Sequence, residues 1–325
     1  MAPIRLGILG AGIMGERLLR AALEHASESV QVSGIWDPSE AALSRIGSAL
    51  PSVPRAASAE VVLAGCDCLY IASPPATHLE HAERALAAGK AIFCEKPLAV
   101  DVAQAQRFVA AAADARAAVN FPMASSVAVD HLRAWIAEGA VGTPRTLDIE
   151  VAFAGWPRGW QRDAASWLDT PVQGGFTREV VSHFLFLTLR LAGVFTLHDH
   201  FASFPEPGRS ERAIRARLSS GTLPITLAGA VGTTAKDDHN TWTLQGSAGA
   251  IRLRDWSHAE RLAPDGTWQP APDTMPNERM RPLVLHRQLA AVAAMTRGEP
   301  HPLAILAEAL AVQEAVEAIL ASASA

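Results

Sequence analysis

The sequence predicts an α/β protein: a doubly wound parallel sheet at the N-terminus, then an α+β domain built on a largely antiparallel open sheet. Three observations carry this. Over the first 120 residues, short apolar runs alternate with amphipathic stretches, as in repeated strand–helix units with right-handed crossovers. The apolar runs are nearly continuous, as expected of strands covered on both faces. After Phe121, strands follow one another with turn signals between them, which points to antiparallel pairing.

In order, Ile4–Leu9 reads as a strand, Met14–His25 as a helix, Val30–Trp36 as a strand and Pro38–Leu50 as a helix. A short element near 59–64 precedes the strand Cys68–Ala72, the helix Thr77–Ala88 and the strand Ala91–Cys94. The helix Val102–Ala113 and the strand Ala117–Phe121 close the series, so a boundary near residue 122 separates a domain 1–122 from a domain 123–325. There a helix at 127–138, a strand at 145–154, a loop rich in Trp, Arg and Asp at 155–173 and an apolar helix at 178–191 are expected. Strands between Phe195 and Leu253 follow, punctuated by Pro205-Glu206-Pro207-Gly208, Ser220-Gly221 and Ser247-Ala248-Gly249, and two helices near 283–296 and 303–322 finish the chain.

At 325 residues the chain can bury two separate cores. A net charge of −5 with no block of like charges argues against nucleic acid as a partner. Cys66, Cys68 and Cys94 are too few for a disulfide framework, and their C-x-C is too close for a zinc knuckle. They read as buried thiols of a reducing compartment, and no metal site is expected. His198 and His200 share a strand face but lack an evident third ligand. No run of 18 apolar residues occurs and the N-terminus lacks a signal peptide's apolar core, so no membrane partner is expected and the location reads as cytoplasmic.

Gly10-Ala11-Gly12-Ile13-Met14-Gly15 is a G-x-G-x-x-G directly after a strand and opening a helix, the context of a Rossmann dinucleotide site. Gly10 permits the tight turn, Gly12 lets the backbone approach a pyrophosphate, and Gly15 lets the helix pack closely on the sheet. The helix N-terminus, with Ile13 and Met14 in its first turn, offers amide donors and a positive dipole end. Asp37 ends the second strand, 22 residues beyond Gly15, where a carboxylate accepts from both ribose hydroxyls. It would repel the extra phosphate of NADP, and no Arg or Lys follows before Arg45. The cofactor is therefore read as NAD, with NADP the alternative. Asp37-Pro38-Ser39 equally fits a helix start capped by Ser39.

Three further segments stand out: Ser73-Pro74-Pro75-Ala76-Thr77-His78, Cys94-Glu95-Lys96-Pro97-Leu98, and the run from Gly174-Gly175-Phe176 to Ser182-His183. With the glycine loop they resemble the Gfo/Idh/MocA oxidoreductases, named for glucose-fructose oxidoreductase and inositol dehydrogenase, down to Pro302-Leu303 and the closing helix. The resemblance implies an NAD(P)-dependent oxidoreductase moving hydride between nicotinamide and a hydroxyl or carbonyl carbon of a sugar, cyclitol or related small molecule. It implies a cis peptide before Pro97, with Lys96 beside the nicotinamide and Ser73, Pro74, His78 and Glu95 along the dinucleotide. It also implies a homodimer or homotetramer through the open sheet.

A lysine just past the carboxyl end of a parallel strand already lies where ligands bind in such sheets. Glu179 and His183 are an i, i+4 pair on one helix face. Oxidising an alcohol requires a base for the hydroxyl proton, and histidine titrates nearest neutrality. His183 is assigned as acid/base, Lys96 as its electrostatic partner, and Glu179 as a group that binds substrate or orients His183. The family's pattern has Asp where Glu179 stands, which shifts its carboxylate.

The segment Asn120-Phe121-Pro122-Met123-Ala124-Ser125-Ser126 is small and apolar with two serines where sugar-acting relatives carry a basic or aromatic residue, and this widens the range to less polar substrates. Asn120, Trp160, Arg162 and Arg178 are the candidate substrate contacts. Trp156, Trp160 and Trp167 either line the pocket or cover the second sheet. Arg158, Arg162 and Arg178 either clamp a substrate carboxylate or pair with Asp163 and Asp169. Two alternatives stay open: a reductase for imines or other less polar substrates, and a catalytically silent ligand sensor on the same scaffold.

Overall fold

The computed structural model describes residues 2–236 and 238–321, except the side chains of Arg162 and Asp163. In chain order the elements are β1 (Ile4–Leu9), α1 (Ile13–His25), β2 (Val30–Trp36), α2 (Glu40–Ala49), α3 (Ala59–Gly65), β3 (Cys68–Ile71), α4 (His78–Ala87), β4 (Ala91–Cys94), α5 (Val102–Ala111) and β5 (Ala117–Val119). Then come α6 (Val127–Ala137), β6 (Pro144–Phe153), α7 (Ala165–Leu168), α8 (Ser182–Ala192), β7 (Thr196–Ser203), β8 (Ala213–Ser220), β9 (Leu223–Val231), β10 (His239–Gly246), β11 (Ala250–Arg254), β12 (His258–Leu262) and β13 (Trp268–Pro270). The helices α9 (Asn277–Arg297) and α10 (Leu306–Leu320) follow. No described helix is long and apolar enough to cross a membrane.

The chain forms two compact units. The first runs to Ser125 and takes back a late segment, Pro282–Ala311, beyond the expected boundary near residue 122. The reason is visible in α9: Leu285, Leu289, Val292 and Met295 recur at helical spacing and join the core of Leu6, Ile8, Leu18, Tyr70 and Phe93. The parallel sheet has the order β2-β1-β3-β4-β5. Beyond β2, Arg55 forms a parallel bridge with Ile35, a vestigial edge strand. Counted with it, the order is that of a doubly wound dinucleotide-binding sheet, whose reversal point lies between β1 and β3.

The second unit comprises Ser126–Arg281 and the chain from Val312. Its eight-stranded sheet has the order β13-β12-β11-β10-β6-β9-β8-β7. Only β6 and β9 pair in parallel; the other neighbours are antiparallel. Alternation is clean: Leu223, Ile225 and Leu227 of β9 are buried, while Pro224, Thr226 and Ala228 between them are exposed. The register places Leu147 opposite Ile225 and Ile149 opposite Leu227, so one face is continuously apolar. Helix α8 reaches this sheet through its Thr188 hydroxyl, which accepts from Trp242 Nε1 of β10 at 3.0 Å.

Candidate functional site

In the first unit the glycine loop turns where the sheet order reverses. Gly10 has φ 105°, and a Cβ there would sit 2.5 Å from the Ala72 carbonyl oxygen, so the loops after β1 and β3 touch backbone to backbone. A Cβ on Gly15 would collide with the Gly10 carbonyl oxygen, whereas one on Gly12 would meet no protein atom within 4 Å. The open space at Gly12 faces a helix N-terminus that no side chain caps, leaving the first-turn amides, with Ile13 and Met14, free of a side-chain acceptor. Asp37 Oδ2 accepts from the Ala11 amide at 2.7 Å and Oδ1 from the Ser39 amide at 2.8 Å. Ser39 in turn caps α2, accepting from Ala42 at 3.2 Å. Each Asp37 oxygen keeps a lone pair for a ribose hydroxyl. These residues fit a dinucleotide. The fold also brings Arg45 beside the loop, where it pairs with Glu16 and donates to the Ala11 carbonyl at 2.7 Å.

Lys96, half-buried, follows β4 at the same sheet edge, and the Lys96–Pro97 peptide is cis, as the resemblance implies. His78 ties this turn to the one after β3: its Nδ1 lies 2.7 Å from the Pro97 carbonyl oxygen and its Nε2 2.8 Å from that of Ser73. A neutral imidazole has one N–H and can donate to only one of the two. Burial nonetheless holds the His78 pKa below its ordinary value, against the pull of both carbonyls. Ser73 Oγ accepts from Thr77 Oγ1 at 2.7 Å, and Pro74 leads into the short 3₁₀ turn Pro75–Thr77.

Glu95 faces inward. Only 7% exposed, its Oε1 accepts from the Tyr70 hydroxyl at 2.5 Å and from Asn120 Nδ2 at 2.6 Å. Asn120 Oδ1 accepts from Gln288 Nε2 of α9 at 2.8 Å. Burial, then the Glu95 charge, pushes the Tyr70 phenol well above its ordinary value, so Tyr70 remains a donor. Both ends of the Asn120 carboxamide are thus engaged inside the first unit. The fully buried Tyr70 and Gln288 were not foreseen; the signal available for Tyr70 was a lone tyrosine in an apolar strand, whose hydroxyl needs a partner when buried.

In the second unit the predicted regular helix over 178–191 begins instead with a π-helical turn, Thr177–Val181, closed by the Ser182 amide on the Thr177 carbonyl, and continues as α8. Such turns concentrate at functional sites. The i, i+4 relation of Glu179 and His183 therefore crosses a π–α junction, with Glu179 half-buried and His183 8% exposed. The two glycines ahead are sterically required: a Cβ on Gly174 would lie 2.7 Å from the Trp167 carbonyl oxygen, and one on Gly175, at φ 101°, would strike the Glu211 carboxylate. Glu211, fully buried, accepts the Thr177 amide at 2.7 Å and so caps the turn. Burial pushes its carboxyl above the ordinary value. No sequence pattern pointed to Glu211.

Arg178 and Arg158 are bound to partners within the protein. Arg178 gives Nε and Nη2 to Glu317 of α10 at 2.6 and 2.7 Å, and Nη1 to the Pro171 and Gly174 carbonyls. Arg158 pairs with Asp238 at 2.5 Å and Gln161 at 2.9 Å. The Arg162 side chain lies outside the described residues. Asp169 accepts from Arg209, Arg212 and Ser210; burial pushes its carboxyl up, but the Arg212 and Ser210 hydrogen bonds prevail and lower it. Trp156 is buried against Phe153 and Phe176, whereas Trp160, 45% exposed, stacks on the Arg158 guanidinium at 4.8 Å.

Residues 4–121 match the model of the Gfo/Idh/MocA family, described as an oxidoreductase family with an NAD-binding Rossmann fold. An inositol 2-dehydrogenase from Saccharopolyspora erythraea is 31% identical over 146 residues, 43% of this chain and 43% of that protein, so the alignment spans under half the relative's length. Across the whole fold, an oxidoreductase from Agrobacterium radiobacter, solved with NAD+, L-tartaric acid and magnesium, superposes with a TM-score of 0.82 at 17% identity, covering 98% of this chain and 96% of that one. The WlbA dehydrogenase from Bordetella pertussis, solved with NADH and UDP-GlcNAcA, gives 0.80 at 20% identity over 98% and 94%. The glycine loop, the Asp37 carboxylate and the Glu95-Lys96-Pro97 turn thus stand in a domain, residues 4–121, that matches the NAD-binding Rossmann fold of the Gfo/Idh/MocA oxidoreductase family.

Proposed function

We propose that the protein is an NAD-dependent dehydrogenase that oxidises a CH–OH carbon of a sugar, cyclitol or related small molecule, running in reverse as a carbonyl reductase. The observation that carries this is the position of Lys96: it follows β4 at the sheet edge that bears the glycine loop and Asp37, on a turn held by His78. Bound NAD, held by the amides at Gly12 and by Asp37, would supply the hydride acceptor. His183 takes the hydroxyl proton as the carbon loses hydride, and returns it to the carbonyl oxygen in reduction. Lys96 stabilises the negative charge that builds on that oxygen. Glu179, on the turn before His183, orients the imidazole or accepts a substrate hydroxyl. The inward commitment of Glu95 keeps the backbone of the Lys96 turn fixed, so the ammonium is presented from a rigid strand end.

The test is NADH formation at 340 nm with the purified protein and NAD over a panel of aldoses, inositols and glycosides. Turnover of at least one alcohol is expected. Tight NAD binding with no turnover of any panel member, in either direction, would favour the silent sensor.

A further inference from the structure

Among the described non-glycine residues, only Asp255 and Trp256 have positive φ, at 45° and 72°. Asp tolerates this region, but a bulky side chain there is an outlier and marks a conformation held for a reason. The pair forms the turn between β11 and β12, anchored by the Asp255 amide on the Asn240 carbonyl at 2.9 Å. The turn brings Trp256 against His183, with ring centroids 5.4 Å apart and planes at 75°, and against Phe184 at 5.4 Å. Its Nε1 donates to Asp238 Oδ2 at 3.3 Å, the oxygen that also pairs with Arg158. The indole thus shares Asp238 with Arg158, on whose guanidinium the exposed Trp160 stacks.

We infer that Trp256 is a specificity-determining residue that selects substrates bearing a flat apolar group next to the reacting carbon. The inference rests on His183 being the acid/base. A hydroxyl donating to His183 lies within about 3 Å of a ring nitrogen, so substituents a few bonds from its carbon meet an indole 5.4 Å from that ring. The polar groups beside the indole are bound within the protein: Arg158 donates to Gln161 and to Asp238, and the indole N–H donates to Asp238. Indole faces instead favour aromatic rings and apolar faces. The fitting class is a sugar or cyclitol carrying an aryl or similarly flat substituent.

The test compares phenyl and methyl β-D-glucopyranoside with NAD, in wild type, Trp256→Ala and Trp256→Phe, by initial rates at 340 nm and by ligand-induced Tm shift of the NAD-bound protein. Wild type is expected to prefer the phenyl glucoside by about tenfold, chiefly in KM, with a larger Tm shift. Trp256→Ala should bring that ratio close to one, and Trp256→Phe should keep most of it, which a purely structural role would not predict. A ratio near one in wild type, an unchanged ratio in Trp256→Ala, or no Tm shift with either glucoside would overturn the inference. Wild-type rates in His183→Asn would instead bring down the acid/base reading, leaving the glucoside ratio as a separate result.

Discussion

Replacing Arg178 by methionine separates a structural cation from a substrate clamp. The guanidinium is 7% exposed and spends Nε and Nη2 on Glu317 and Nη1 on two main-chain carbonyls. Removing one partner of a buried ion pair costs about 3–5 kcal/mol, because the other charge is left unpaired. Glu317 is partly exposed, at 23%, so water recovers part of this and about 3 kcal/mol is expected. At about 2–4 °C per kcal/mol for a unit of this size, Tm should fall by about 6–12 °C. The assay is thermal unfolding followed by circular dichroism, alongside KM for any substrate found. Arg178→Met combined with Glu317→Gln should recover a good part of the loss, since no buried charge is then orphaned. A Tm within about 1 °C of wild type, together with a large rise in KM for a carboxylate substrate, would refute this and restore the clamp.

Asp37→Ala should raise the Kd for NAD by about two decades, from two charge-assisted hydrogen bonds to ribose, and the Kd for NADP far less; equal effects in calorimetric titration would remove Asp37 from cofactor choice. Glu211→Gln tests the buried cap through pH. The folded carboxyl holds its proton above the ordinary value near 4.5, so its contribution to stability is full below that pH and is lost as pH rises through the raised value. Urea denaturation between pH 4 and 8 should show wild type losing stability relative to Glu211→Gln as pH increases, whereas parallel profiles would contradict the buried, proton-holding state.

Local signals served well wherever a residue's role depends on its own element. The strand endings at Leu9, Trp36 and Cys94 were legible because each apolar run stops at Gly, Asp or Glu. Asp37 and Lys96 follow from position alone, since they sit at the carboxyl ends of parallel strands. What stayed hidden depends on partners remote in sequence. Arg178 looked like a surface or substrate cation because Glu317, 139 residues away, meets it only in the fold. The partner of Asn120 is hidden for the same reason, since Gln288 comes from a late helix that returns to the first unit. The π turn at Thr177–Val181 leaves the apolar pattern of the following helix intact, so periodicity reads straight through it. Trp256 carried no signal, because its role comes from a backbone conformation that composition does not encode.

The central claim, that Lys96 and His183 act on the hydroxyl whose carbon gives hydride to NAD, is tested most directly in Lys96→Ala by measuring kcat at 340 nm and the NAD Kd on the same preparation. The kcat should fall about 10²-fold or more, with the Kd changed by less than about threefold. An unchanged kcat would contradict it and remove Lys96 from the chemistry.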